Sequence, residues 1–132
     1  MPVEVSWDNP GHTIISQQFS GRWTWEEFYR VTYDQIRHLM FSSPHVVHVI
    51  ADIGHSSYTT SMSGALTQVR NVALSYPANW GVLVLVNNNA FVTILMDMFK
   101  RNHPELAERL FVVDTRDEAY SLIEHYQKQP IA

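Results

Sequence analysis

Apolar residues along this chain fall into two kinds of pattern. The runs VVHVIAD (46–52) and WGVLVLV (80–86) are apolar at nearly every position. Strands buried on both faces read this way, because neither face meets water. RLFVV (109–113) reads as a further, last strand. VEVSW (3–7) and HTIISQQF (12–19) are strand-like and separated by Asn9, Pro10 and Gly11. That spacing predicts a hairpin with a loop longer than two residues, and Gly21 ends its second strand.

The second pattern has the period of a helix. In WTWEEFYRVTYDQIRHLM (23–40), Trp25, Phe28, Thr32, Ile36 and Leu39 fall on one face. Thr24 followed by Glu27 is a capping box, and Trp23 can staple onto Phe28. Such a cap stabilises the helix by about 0.5–2 kcal/mol. Ser42, Ser43 and Pro44 stop it. A second helix runs from about Ser61 to Tyr76, with Leu66, Val69, Val72, Ala73 and Tyr76 inward. Asn87, Asn88 and Asn89 turn into a third helix over Ala90 to Asn102, and Pro104 starts one more helical turn. TRDEAYSLIEHYQK (115–128) is the last helix, with a capping box at Thr115 and Glu118. The third helix is apolar on more than one side, with Phe91, Ile94 and Leu95 on one and Val92, Met96 and Phe99 on another. One stripe packs on the sheet. The remainder is either covered by the Pro104 segment or left for a second subunit, and a two-fold homodimer is the commonest such assembly.

The order is therefore β-β-α-β-α-β-α-β-α. Strands alternating with helices imply an α/β domain with a mostly parallel sheet and an antiparallel strand at the start. The pattern leaves the strand order open. With 132 residues, no repeat and no linker, residues 1–132 read as one domain. Hydrophobic residues at 45% and charged residues at 17% suit a packed core rather than disorder. A net charge of −4 argues against nucleic acid as the main partner. The absence of cysteine excludes disulfides and thiolate metal sites. Pro2, Glu4 and Asp8 do not suit a signal peptide, and no apolar run is long enough to span a bilayer. A soluble, cytoplasmic protein without a cofactor is the reading that follows.

Candidate chemistry concentrates where strands end. In open α/β sheets, ligands bind beyond the carboxyl ends of the strands. Asp52, His55 and Ser57 follow the third strand, Asn87, Asn88 and Asn89 the fourth, and Asp114 and Arg116 the fifth. All three loops are expected on one edge, near the hydroxyl-rich stretch SSYTTSMSGAL (56–66). There Thr60, Ser61 or Ser63 caps the second helix, and Ser63 and Gly64 lie where free N–H groups and the helix dipole favour an anion. A metal site is not expected: His45 and His48 are three apart on a strand, so their side chains point to opposite faces. No G-x-S-x-G elbow supports a serine hydrolase built on Ser63, His55 and Asp52. Trp23, Trp25, Phe28 and Tyr29 form an aromatic cluster that reads as core and staple, or, where exposed, as a protein interface.

The antiparallel first strand, the buried strand HVIAD and the hydroxyl-rich loop into SMSGAL resemble the STAS domain of anti-sigma-factor antagonists and sulfate transporters. GRWTWEEF fits the first helix of a SpoIIAA-like, Sec14-related branch of small bacterial domains. The resemblance implies a STAS-like sandwich over nearly the whole chain. In antagonists the loop ends in Asp-Ser-Ser-Gly, and the serine before the glycine is phosphorylated. That serine corresponds to Ser63 and the glycine to Gly64, while Met62 replaces the first serine and Ser61 the aspartate. The resemblance thus implies a non-enzymatic, regulatory protein-interaction domain with Ser63 as candidate phosphoacceptor. Asp52, His55, Ser57, Ser61, Gly64, Asn88, Asp114 and Arg116 are candidate ligand- or partner-binding residues. The alternative is a carrier or sensor that holds a small hydrophobic ligand or an anion. A solid core between the sheet and the second and third helices would count against it.

Overall fold

The structure is a computed structural model that describes residues 2–58, 61–87 and 89–128. Five strands form one sheet in the order β1-β2-β3-β4-β5. β1 (Val3–Trp7) runs antiparallel to β2 (Ile14–Trp23), whereas β3 (Val47–Tyr58), β4 (Trp80–Val86) and β5 (Leu110–Val113) run parallel to it. Asn9 organises the long hairpin loop: its Oδ1 accepts the N–H groups of Thr13 and Ile14 at 3.0 and 3.1 Å. Because each parallel strand lies beside the next in sequence, right-handed crossovers put their helices on one face. That face carries α1 (Trp25–Val31), α2 (Arg37–Phe41), α3 (Met62–Ser75), α4 (Ala90–Asn102) and the short α5 (Pro104–Ala107). α6 (Arg116–Lys128) packs alone on the other face, where Ala119 and Ile123 meet Ile50, Val82, Val84 and Val86.

Two strands are longer than their sequence pattern suggests. β2 does not end at Gly21, which takes φ +62° and lets the strand continue to Trp23. β3 does not end at Asp52 but reaches Tyr58. The pairing Gln18↔Asp52 becomes Ser20↔His55, so β3 carries one extra residue near Ile53 and Gly54. Such a bulge bends and twists the strand without ending its pairing. β4 stops at Val86, opposite Asp52. The β2–β3 ribbon therefore projects past the rest of the sheet at its carboxyl edge.

The first helix begins with the capping box: Glu27 N–H donates to Thr24 Oγ1 and Thr24 N–H to Glu27 Oε1, both at 3.1 Å. It is not one regular helix. A π-helical turn over Thr32–Ile36 separates α1 from α2. Thr32 Oγ1 donates to the Phe28 carbonyl at 2.9 Å, a local bond of the kind that bends helices. Phe28, Thr32, Ile36 and Met40 are the buried positions, whereas Leu39, expected inward, is only half-buried. A strict four-residue spacing drifts by about 40° per step around a 3.6-residue helix. The wider π-turn takes up that drift and keeps Met40, rather than Leu39, over the sheet.

The core between sheet and helices is solid. A void within it, lined by Phe28, Val69, Val72, Leu83, Leu85 and Met96 among others, measures about 10 Å³. That is at most one water's worth of space. In α4, Val92, Leu95, Met96 and Phe99 are buried and Phe91 packs against the core, with α5 alongside. Of the six apolar residues named on its two sides, only Ile94 is exposed, at 52%.

His48 is buried among the apolar side chains. The pairing shifts from Val47↔Trp80 to Val49↔Leu83, so β4 has an extra residue opposite His48. The bulged Val82 N–H donates to His48 Nδ1 at 3.1 Å. A Cβ on Gly81 would lie 2.2 Å from the imidazole, so only glycine leaves room for this ring. The Tyr126 ring meets it edge-on at 5.5 Å. Burial lowers the His48 pKa from 6.5 to about 4. The folded protein therefore keeps His48 neutral where the unfolded chain protonates it, and this penalises folding increasingly as pH falls from 6.5 towards 4. The loss reaches at most about 3 kcal/mol. Urea unfolding at pH 7.5 and pH 4.5 tests this. Stability is expected to drop by about 2–3 kcal/mol in the parent and clearly less in His48→Gln, which keeps an acceptor but does not titrate. Equal drops in both proteins would assign the pH dependence to other groups.

Candidate functional site

Ser61, not Ser63, caps α3. Its Oγ accepts the Gly64 N–H at 3.1 Å from an extended backbone. Thr60, the other capping candidate, lies outside the described residues. Ser63 occupies the first turn with its side chain exposed, and its Oγ lies 3.2 Å from Ser61 Oγ. The capping oxygen is thus engaged by the helix backbone, and the Ser63 hydroxyl is presented to solvent at the positive end of a fourteen-residue helix.

Around this point the ribbon and two helix N-termini converge. Trp23 Nε1–H donates to Ser56 Oγ at 2.8 Å, and Ser56 Oγ–H donates to the Ile53 carbonyl at 2.8 Å. Both groups are thereby satisfied in a largely apolar setting. Tyr58 packs on Trp23, Trp25 and Phe91, with ring centroids 5.0–5.4 Å apart. Its hydroxyl meets the Asn89 side-chain amide, accepting from Nδ2 at 3.1 Å. Asn89 Oδ1 in turn accepts the Val92 N–H at 2.9 Å and caps α4. Trp23, Trp25 and Phe28 are fully buried, so the aromatic cluster is core, and Tyr58 and Phe91 form its half-buried upper surface. Ser57 is exposed on the ribbon, its Oγ 3.5 Å from the Gly21 carbonyl, and the His55 backbone pairs with Ser20. Asn88 lies outside the described residues.

Asp52 and Arg116 do come together, but on the opposite face of the sheet. Arg116, the first residue of α6, donates from Nη1 to Asp52 Oδ2 at 3.2 Å. From Nη2 it reaches Asp8 Oδ1 at 3.3 Å and Ser16 Oγ at 2.8 Å. Asp52 Oδ1 also accepts the Gly54 N–H at 3.0 Å, which holds the β3 bulge. Burial first, and then a hydrogen bond to the Asp8 carboxylate, raises the pKa of Tyr120 and keeps its hydroxyl protonated beside this group. Two carboxylates around one half-buried guanidinium form a closed structural network. Among the described residues no hydrogen bond or ion pair joins it to Ser61 or Ser63. The expectation of one shared site is therefore corrected. The three loops share the carboxyl edge, but strand alternation turns Asp52 towards α6. Asp114 is exposed at the end of β5.

Sequence reasoning missed Asp8, Ser16 and Gln18 as partners of Arg116, the last through a 3.5 Å contact. It also missed Tyr58 and the Trp23–Ser56 bond. Asn87, just after β4, adopts φ +93°, a region where asparagine is enriched among non-glycine residues.

Among solved structures, that of the anti-sigma factor antagonist SpoIIAA in its unphosphorylated form is similar to this chain. The TM-score is 0.59, the identity 13%, and the match covers 92% of this chain and 97% of that one. The chain thus has a STAS-like fold, a single mixed sheet with alternating strands and helices. At this identity the likeness carries the fold and not the site. No protein-family model and no curated protein matches the chain.

The two serines make separable forecasts. Ser61→Ala removes a satisfied cap and is expected to cost about 1 kcal/mol, whereas Ser63→Ala is expected to change stability by no more than about 0.5 kcal/mol. Thermal unfolding of both variants checks this. A larger loss from Ser63→Ala than from Ser61→Ala would show that the capping roles are reversed.

Proposed function

We propose that this chain is a non-enzymatic, cytoplasmic regulatory domain that binds a protein partner at the carboxyl edge of its sheet. Phosphorylation of Ser63 modulates that binding. The observation that carries the reading is the exposed Ser63 hydroxyl beside the Ser61 cap on a STAS-like fold. Ser57, Ser61 and Gly64 border the same edge and contribute to the partner surface. A phosphate there would add about −1.5 to −2 charge at the end of α3. The helix end favours it by about 0.3–1 kcal/mol, so modification would change the surface without unfolding the domain. A void of about 10 Å³ among Phe28, Val69, Val72 and Met96 holds no organic molecule, which counts against a hydrophobic ligand at that place. The structure likewise has no described helix long and apolar enough to cross a membrane.

The test uses partners recovered with the parent chain and then purified. Ser63→Asp is expected to change their affinity by about tenfold or more, with Ser63→Ala close to the parent and both melting normally. Unchanged binding by Ser63→Asp would reduce SMSG to a helix start.

Self-association through α4 has little material. Ile94 is the one large apolar side chain of that helix more than half exposed. A stable interface needs about 800 Å² per partner. Light scattering at tens of micromolar is therefore expected to give no dimer that depends on α4. A dimer abolished by Ile94→Asp would restore the α4 contact.

A further inference from the structure

The first helix carries a stripe that its own core does not use. Tyr29, Tyr33, Arg37 and Phe41 recur every four residues across α1, the π-turn and α2. Tyr33 is 43% exposed and Phe41 67%. The Arg37 guanidinium carbon lies 3.7 Å from the centroid of the Tyr33 ring and 6.0 Å from that of Phe41. Tyr29 extends the stripe, its ring centroid 6.1 Å from Tyr33. Arg37 Nε is buried without a hydrogen-bond partner, and among the described residues no carboxylate pairs with this guanidinium.

The stacking constrains what Arg37 can do. An aromatic ring over the face of a guanidinium leaves its in-plane N–H groups at the rim. With Nε covered, the charge can be satisfied only through the two outer nitrogens. Those present the parallel fork that fits a carboxylate. The charges nearby favour the same ligand. Arg30 is already paired with Glu26 at 2.8 Å. Asp34 on this helix makes no ion pair with Arg37, and His38 is exposed. The packed neighbour α3 contains no acidic residue. On a chain of net charge −4, this stripe thus presents a guanidinium that no described carboxylate pairs, between two exposed rings. Tyrosine, arginine and phenylalanine are also the residue types enriched where proteins meet.

We propose that the Tyr33–Arg37–Phe41 stripe is a second docking surface, for an acidic segment of a partner protein. A partner Asp or Glu carboxylate takes the outer nitrogens of Arg37, and apolar residues beside it cover Tyr33 and Phe41. The stripe ends at the amino edge of the sheet, because α2 leads into the start of β3, whereas Ser63 lies at the carboxyl edge. It therefore serves a contact distinct from the one proposed around Ser63, and the two fail independently.

The experiment selects short random displayed peptides on the purified full chain and measures affinities for the enriched ones. Expected are peptides with Asp or Glu next to a large apolar residue. Arg37→Gln should weaken them by at least about tenfold and Arg37→Glu more, with Ser63→Asp unchanged. Replacing the peptide carboxylate by its amide should produce the same loss. Tyr33→Ala, which keeps the charge but removes the stacked ring, should weaken binding by a smaller factor. Circular dichroism and thermal melts confirm that each variant is folded. The proposal is overturned if no peptide enriches, or if the enriched peptides lack acidic residues. It is also overturned if they bind Arg37→Gln as well as the parent. Arg37-dependent sedimentation with phosphatidylglycerol vesicles in place of peptide binding would replace it with a membrane contact. An Arg37-dependent dimer would replace it with self-association.

Discussion

The pairing of Trp23 with Tyr58 at the tip of the β2–β3 ribbon sets where three helices begin. Trp23 is followed at once by the Thr24 cap of α1, so the ribbon's end fixes that helix's start. Tyr58 reaches Asn89 and thereby ties the cap of α4 to the ribbon. Ser61, three residues beyond Tyr58, begins α3. Without the bulge at Ile53 and Gly54, β3 would stay in its original register with β2. Trp23 would then lose Ser56 as the acceptor for its indole N–H. A single inserted residue thus decides the layout of the edge where the candidate site lies.

The two faces of the sheet divide the work. One face packs aromatic and branched side chains against α1, α2, α3 and α4, and the void among Phe28, Val69, Val72 and Met96 measures only about 10 Å³. The other carries a smaller apolar cluster under α6 and a polar group centred on Arg116. That polar group uses carboxylates that could otherwise have served chemistry. Asp52 spends both oxygens on structure, one on Arg116 and one on the Gly54 N–H. What remains open at the carboxyl edge includes hydroxyl and amide groups at helix starts and the Asp114 carboxylate at the end of β5.

Buried polar groups mark the places where packing was not allowed to decide alone. His48 occupies a slot that exists because residue 81 is glycine, and it satisfies the N–H that the β4 bulge releases. Gln17 is fully buried among apolar neighbours, and neither its amide nitrogen nor its amide oxygen has a partner among the described residues. Its inward position follows from alternation with Ile15 and Phe19. The structure offers no physical account of why a glutamine stands there.

Element types and most of their limits were legible in the chain itself, because they depend on local physics. Unbroken apolar runs marked β3 and β4, capping residues marked α1 and α6, and the bounds of β4 and α4 coincide with their patterns. The candidate serine was legible too, since hydroxyls before a glycine and an apolar rhythm signal a helix start. Tertiary structure decided the rest. The extension of β2 and β3 depends on backbone pairing between residues more than thirty positions apart, which leaves no trace in side-chain hydropathy. The choice of Met40 over Leu39 depends on a π-turn that only packing against the sheet reveals. The separation of Asp52 and Arg116 from Ser63 depends on which face of a strand each side chain takes. A loop read as following a strand hides that alternation, because it was a strand all along.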